Sequence, residues 1–361
     1  MKELRQLLKE AHFTVPRIRK MEKQAGRFKI AVVGDFYLDR YVVGEMAAIS
    51  REAPVPIVRV QRDTYSPGAA GNIAVNLRTL GCDVSLLGIV GKDLPGRILL
   101  DRFHEKGVRT EFLLRLEDWE TPNFNKIYAT VPGGLPQQVA RFDKEPRLLR
   151  TGNVQERISA KLRGLFPSLD AVVLADYSEA AGRGWLTLEF VQDVIRLSGK
   201  FGVPAFATSR KRGHWLKGSR VVVLNEVEML QLLGFIEQTL GETGGSFETN
   251  VHKVASFLGT EQLFLTVGDR GIVVASPGAA LLRVPTLPQH GAIDVTGAGD
   301  GALAAIVVAT LLGLGPKEAA LLANFCAGVI IRKTAATGSA TVEEIIAEIH
   351  RWRRALNGPG D

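Results

Sequence analysis

Ile293-Asp294-Val295-Thr296-Gly297-Ala298-Gly299-Asp300-Gly301 runs without a break into the apolar stretch Ala302 to Leu314. Small residues let a backbone approach a ligand closely, and the N–H groups of a helix's first turn, reinforced by its dipole, make an anion site. Gly297, Ala298 and Gly299 therefore read as an anion hole suited to a developing phosphoryl charge. Asp300, in the first turn, can take the proton from a hydroxyl attacking beside that anion. A Gly-rich turn whose aspartate only caps the helix would show the same letters. The apolar stretch falls short of the roughly 20 residues a bilayer span needs and reads as a buried helix.

Upstream of this junction, short Val- and Ile-rich runs recur, bounded by turn residues and separated by segments long enough for helices. They are Ile30 to Val33, Val84 to Val90, Ala171 to Ala175, Pro204 to Ala207, Val221 to Leu224 and Leu263 to Val267. That alternation predicts an α/β fold with a doubly wound, mostly parallel sheet flanked by helices. Asp35, Asp176, Thr208, Asn225 and Thr266 stand at or near the carboxyl ends of these runs, where open α/β sheets bind ligands. The segments at about 41–65 and 108–143 instead alternate Val, Ile, Phe and Tyr with polar residues and prolines, as expected of a small β-sheet lid over the crevice. Residues 1–28 read as a charged, amphipathic helical extension and 356–361 as a flexible tail.

Two familiar nucleotide motifs are excluded. Gly91-Lys92-Asp93-Leu94-Pro95-Gly96-Arg97-Ile98 has a P-loop's glycine spacing without its Lys-Ser/Thr pair. Gly297-Ala298-Gly299 has no third glycine in register and no acidic residue about 20 positions on, as a dinucleotide fingerprint requires.

The 361 residues are 46% hydrophobic and 23% charged, enough to bury one large core. A formal charge of +7 raises nucleic acid as a partner. The basic clusters Arg210, Lys211, Arg212 and Arg351, Arg353, Arg354 lack the run of interleaved aromatics of single-strand binders, with Trp352 alone set among them, so they read as solvated faces and no nucleic-acid partner is expected. Cys82 and Cys326 have neither metal-ligand nor redox spacing and fit buried, reduced thiols. MKELRQLLKEAHF has no apolar core of a leader peptide, so a cytoplasmic protein with no membrane partner is expected.

Asp294-Val295-Thr296-Gly297-Ala298-Gly299-Asp300 resembles the signature of the ribokinase-like (PfkB) carbohydrate kinases. The likeness covers nearly all of the chain after residue 28, which sets the expected kinase domain at 29–355. Gly34-Asp35, Leu38-Asp39-Arg40-Tyr41, Ile49-Ser50, Glu52-Ala53-Pro54-Val55-Pro56 and Pro67-Gly68-Ala69-Ala70-Gly71-Asn72 are most similar to the heptose-7-phosphate kinases of that family. The resemblance implies ATP as co-substrate, Mg²⁺, a role for a monovalent cation, and a homodimer formed through the lid. It places Asp39, Gly68, Ala69, Asn72, Arg141 and Asp176 at the sugar, where carboxylate and amide groups can pair adjacent hydroxyls.

Asn225-Glu226-Val227-Glu228 resembles the family's Asn-x-x-Glu motif, and through it Glu228 would act on Mg²⁺ by way of water. A simple helix N-cap has the same form. Thr266, Gly268 and Gly271 resemble the turn beside the nucleotide, and Asn324 a position near the adenine, although a helix amide bonded to backbone would read alike. Two segments depart from the heptose kinases. Asp176-Tyr177-Ser178-Glu179-Ala180 lacks the Gly-Lys-Gly that usually follows Asp-Tyr, and Thr208-Ser209-Arg210 replaces Asp-Pro-Lys.

The expected acceptor is a sugar phosphate, a heptose 7-phosphate attacked from O1. Arg40, Arg51, Arg141 and Arg210 are the candidate cations for its remote phosphate. Rival readings are a kinase of the same fold for ribose, a hexose phosphate or a nucleoside, and a catalytically silent sugar- or nucleotide-binding protein. No fused nucleotidyltransferase domain is expected in this chain.

Overall fold

The computed structural model describes residues 2–131, 134–145, 153–178, 184–241, 244–289 and 291–357. Two helices, α1 (Lys2–Ala11) and α2 (Val15–Ala25), lead into β1 (Lys29–Gly34). A long hairpin of β2 (Phe36–Ile49) and β3 (Pro56–Ala69) returns into α3 (Ala70–Thr79). Next come β4 (Asp83–Leu87), β5 (Ile89–Gly91), α4 (Leu94–Glu105), β6 (Leu114–Leu116), β7 (Asn123–Thr130) and β8 (Gln137–Lys144). Helices and strands then alternate through α5 (Val154–Leu165), β9 (Ala171–Asp176), α6 (Leu188–Phe201), β10 (Ala205–Ser209), β11 (Val221–Asn225), α7 (Glu226–Leu240), α8 (Phe247–Leu258) and β12 (Gln262–Thr266). The hairpin β13 (Ile272–Ala275) and β14 (Leu282–Val284) precedes α9 (Ala298–Leu311), α10 (Pro316–Ile330) and α11 (Val342–Asn357).

Period-two side-chain geometry turns these strands into a three-layer fold. Ile30 and Val32 of β1 enter the core formed with α3, α9, α10 and α11, while Ala31 and Val33 enter the core formed with α5 to α8. The main sheet has the order β14-β13-β12-β11-β10-β9-β1-β4. It is parallel from β12 to β4 and antiparallel at β13 and β14. All six expected runs lie in this sheet, but Val84 to Val90 is not one strand. It breaks at Gly88, where a Cβ would lie 2.6 Å from the Gly34 carbonyl oxygen, and β5 pairs with β6 in a separate two-stranded sheet.

The small sheet has the order β3-β2-β7-β8. Its strands overlap the two segments read as a lid with different bounds: β2 begins at Phe36, β3 ends at Ala69, β8 ends at Lys144, and residues 108–122 are not part of it. Leu113, Leu114, Leu116 and Trp119 are buried against the main body, where such an apolar cluster belongs. The outer side of the lid is apolar in places and open, with Ile49 60% and Phe142 63% exposed.

Residues 1–28 carry both leading helices. Leu4, Leu7 and Leu8 repeat at helical spacing and are buried, as are Phe13, Ile18 and Met21. Arg353 of α11 donates to the Phe13 carbonyl at 2.9 Å, and Arg17 pairs with Glu318 at 2.6 Å. At the other end, Leu356 and Asn357 continue α11, and Leu356 is buried, so they are not a flexible tail. The rest of the expected tail, 358–361, lies outside the described residues. Cys82 and Cys326 are both buried free thiols, and burial pushes each up to about 12. Among the described residues no helix is long and apolar enough to cross a membrane.

Candidate active site

Asp300 and Asn72, the side chains on which the candidate chemistry centres, stand at the starts of α9 and α3. Gly297 precedes α9 at φ +82°, and a Cβ on it would fall 2.5 Å from the Asn72 amide nitrogen. Only glycine admits that approach. A Cβ on Gly299 would meet nothing within 4 Å, so space is open over the first turn of α9. Asp294 braces the loop by accepting from the backbone N–H of Thr296 at 3.0 Å and of Ala335 at 3.2 Å.

Asp300 is buried in that first turn. Asn72, on α3, donates to its Oδ2 at 2.8 Å, and the Tyr177 hydroxyl, just beyond β9, donates to its Oδ1. Burial raises the Asp300 carboxyl above its usual range, against the hydrogen bonds from Tyr177 and Asn72 and the nearby Arg210 charge, which favour the ionised form. Asp300, the start of α9 and the glycine turn are thus brought together with Asn72 and Tyr177.

Strands β2 and β7 place Asp39, Tyr41, Phe124 and Lys126 on one face of the lid through their parallel register. Asp39 accepts from Lys126 Nζ at 3.4 Å and from the Thr337 hydroxyl, and Lys126 also donates to the Tyr41 hydroxyl at 2.9 Å. The other Asp39 oxygen, Oδ1, is buried with no partner among the described residues. A Cβ on Gly68 would lie 2.8 Å from it, so glycine there keeps open the space in front of an unused acceptor. Ala69 makes the turn into α3 at φ +54°, a conformation costly for a residue with a Cβ.

Asp35, Asp176 and Arg212 form a buried group at the ends of β1, β9 and β10. Arg212 Nε donates to Asp176 at 3.0 Å and Ser209 Oγ to the same carboxylate at 2.6 Å. Burial, then repulsion from Asp176, raises the Asp35 carboxyl. This overturns the solvated-face reading for Arg212, which is 8% exposed; Arg210 and Lys211 are exposed, although Arg210 lies 5.1 Å from the Tyr177 ring and pairs with Glu228 at 3.3 Å. The second cluster is also partly spent on structure, since Arg351 pairs at 2.7 Å with Glu348, which is fully buried.

Asn225 and Glu228 form a reciprocal capping box on α7: Glu228 N–H donates to Asn225 Oδ1, and Asn225 N–H to Glu228 Oε2, both at 2.9 Å. Glu228 Oε1 faces Arg210. Burial raises the Glu228 carboxyl, partly offset by Arg210 and Asn225. Glu226 is turned to Arg270, and Val227 is exposed. Thr266 stands beside Asn225 in register on β12. Gly268, at φ +61°, has open space around its Cβ direction, whereas a Cβ on Gly271 would lie 2.2 Å from the Val284 carbonyl oxygen. That same carbonyl accepts from the Asn324 amide at 3.0 Å, so Asn324 is bonded to backbone.

Of the four arginines assigned to a remote phosphate, two are misplaced. Arg40 lies one residue out of phase with Asp39, hence on the opposite side of the lid, and pairs with Asp63 at 2.8 Å. Arg51 is exposed in the β2–β3 turn. Arg141 sits opposite Lys126 in register, over the Phe124 ring at 4.5 Å, and pairs with Asp143. Arg210 borders Asp300 through Tyr177. Sequence reasoning gave no role to Lys126, Thr337, Tyr177 or Arg212. The alternation of β7 against β2 could have found Lys126, while Thr337 carries no local signal at all.

Residues 27–343 match the model of the pfkB family carbohydrate kinases. The chain belongs to that family. Among curated relatives, this pfkB kinase is 34% identical over 320 residues to the bifunctional protein HldE of a Nitratiruptor species, covering 88% of the chain and 64% of the relative. It is 32% identical to the bifunctional protein HldE of Proteus mirabilis, covering 92% and 65%. The chain thus spans under two thirds of those proteins' length. Its fold is that of Arabidopsis thaliana ribokinase complexed with ribose and ATP, with TM-score 0.63 at 18% identity over 89% of this chain and 98% of that one. It is equally that of phosphofructokinase-2 from Escherichia coli, with TM-score 0.66 at 13% identity over 91% and 100%.

Proposed function

We propose that this carbohydrate kinase transfers the γ-phosphoryl group of ATP to a hydroxyl of a sugar phosphate, O1 of a heptose 7-phosphate. The observation that carries the reading is Asp300, buried at the start of α9 below the open space at Gly299 and held through both carboxylate oxygens by Asn72 and Tyr177. The acceptor hydroxyl gives its proton to Asp300 as its oxygen bonds to the γ-phosphorus, and the bond from that phosphorus to the bridging oxygen of ADP breaks. At the start of α9 the N–H groups of Gly297 and Gly299 would face the charge that develops on the transferred group, while that of Ala298 donates to the Val295 carbonyl at 3.2 Å.

The orphaned Asp39 Oδ1, with Lys126 alongside, suits a sugar hydroxyl that can donate to one and accept from the other. Lys126 and Arg141 on the same lid face supply the cations for a remote phosphate. Binding energy from that phosphate would orient the reacting hydroxyl. The likeness to HldE supports heptose 7-phosphate in particular.

Among the described residues no three acidic, histidine or cysteine side chains gather as a cation cage. That fits Mg²⁺ held chiefly by ATP phosphates and water, with Glu228 and Asn225 ordering the waters. When bound, the ion would neutralise phosphate charge. The exposed apolar residues outside the lid support the expected homodimer.

The test is ADP release with heptose 7-phosphate against free heptose, and with ribose 5-phosphate against ribose. The phosphorylated sugars, the heptose above all, are expected to give the higher kcat/KM. Equal or better values for the free sugars would move the assignment to a ribokinase-type acceptor, and no acceptor-dependent ADP release would leave the silent binding protein.

A further inference from the structure

Tyr177 directly follows Asp176, the last residue of β9, and sequence reasoning assigned a role only to the aspartate. Tyr177 is nonetheless the residue through which the site's parts meet. Its backbone N–H donates to Asp35 Oδ2 at 3.0 Å, and its carbonyl accepts from the Tyr37 hydroxyl at 3.4 Å, so the main chain is fixed to β1 and β2. Its ring lies under the Arg210 guanidinium at 5.1 Å, and Arg210 in turn pairs with Glu228. Its hydroxyl donates to Asp300 Oδ1.

We propose that Tyr177 is the positioning residue of the catalytic base: its hydroxyl, opposite Asn72, fixes the plane of the Asp300 carboxylate and holds it ionised for the incoming acceptor. The inference rests on the assignment of Asp300 as base. A carboxylate offers about four acceptor sites over its two oxygens, so one donor on each leaves room for the hydroxyl that gives up its proton. Two donors from different elements also stop the carboxylate from rotating, which keeps the attack line aimed at the anion site.

The charged and titratable surroundings give the device its purpose. Burial pushes Asp300 towards its neutral, useless form, and the negative Asp39 on the lid pushes the same way. Against them stand Tyr177, Asn72 on α3 and the Arg210 charge, in that order. Glu228, on α7, is itself raised by burial and feels Asp300 as a like charge. Tyr177 is held firmly protonated by burial and by the adjacent Asp300 charge, so it remains a donor throughout the working range. A hydrogen bond to the ionised form lowers a carboxyl's pKa, so losing it must move the Asp300 titration upward.

The experiment is Tyr177→Phe, which keeps the ring beneath Arg210 and removes only the hydroxyl. In the ligand-free protein, carbon-13 NMR of the aspartate carboxyls, with Asp300 assigned by its disappearance in Asp300→Asn, should show the Asp300 midpoint rising by about one unit or more. In turnover, the acid limb of kcat should move up in pH by a like amount. The plateau value should fall about tenfold or more, with KM for ATP little changed. An Asp300 midpoint and acid limb that both stay in place would overturn the proposal, whatever happens to the plateau. Tyr177→Leu separates the ring from the hydroxyl: if it matches Tyr177→Phe in both titrations the hydroxyl is the agent, and if it alone shifts them the ring is, and the proposal fails. The NMR arm needs no acceptor. Absence of turnover with any sugar would therefore count against the proposed function and not against Tyr177.

Discussion

At the proposed phosphoryl end the groups that hold Asp300 come from the body of the fold, Asn72 from α3 and Tyr177 from just beyond β9. At the proposed acceptor end, Asp39 is held by Lys126 from the lid strand β7 and by Thr337 from the segment before α11. The first set rests on a sheet buried on both faces, where any shift meets packed side chains. The second hangs on a four-stranded sheet whose other face is open, with Phe142 and Ile49 more than half exposed. A fold made this way can keep one phosphoryl-transfer centre while changing the groups that choose its acceptor.

The sharpest way to break the comparison is Asp300→Asn, which preserves size and removes the proton acceptor. Turnover should fall roughly 10²- to 10⁴-fold, the usual loss for a general base, while ATP still binds. ADP release and nucleotide displacement measured on the same protein check this. Turnover near that of the unaltered chain would mean that Asp300 only caps α9.

Lys126→Met tests the other end. Methionine keeps an unbranched chain over the Tyr41 ring, where Lys126 Nζ now lies 4.6 Å from the centroid, but removes the charge and its donors. The expected result is a rise of about 10- to 100-fold in acceptor KM, the scale of a lost hydrogen bond to a charged group, with KM for ATP unchanged. Equal changes in both constants would show that the lid does not act on the acceptor separately.

The same division decided what could be read from the letters. The phosphoryl end is local in sequence: glycine turn, aspartate and apolar helix occupy Ile293 to Leu311 without interruption, so spacing alone exposed them. The main sheet was equally plain because each strand is a short apolar run. Asp39, Lys126 and Thr337, by contrast, are brought together from three distant places by β2–β7 register and by the docking of the segment before α11. Arg212 misled for a different reason: a run of three basic residues resembles a solvated face until the buried Asp176 is seen beside its last member. Arg40 misled because a one-residue step along a strand reverses the side it faces.

Between the two ends stands Glu228, whose role is divided. One carboxylate oxygen closes the capping box with the Asn225 N–H, and the other faces Arg210 at 3.3 Å. A glutamine can still accept at the cap, so Glu228→Gln should leave α7 and the melting temperature nearly unaltered. What it removes is the negative charge next to the place where phosphates and their Mg²⁺ waters would lie. Groups that act on a metal through its waters typically cost 10- to 100-fold when changed. The capping duties retained here put the expectation near the low end, about a tenfold rise in the Mg²⁺ concentration for half-maximal turnover at fixed ATP. The acceptor KM should stay put, which distinguishes this change from Lys126→Met. Because burial raises the Glu228 carboxyl, the unaltered protein should need more Mg²⁺ as pH falls through that raised value, while the glutamine variant should lose this dependence. Superimposable Mg²⁺ titrations of the two proteins at neutral pH would reduce Glu228 to a helix cap and leave the phosphoryl end resting on Asp300 and the α9 turn alone.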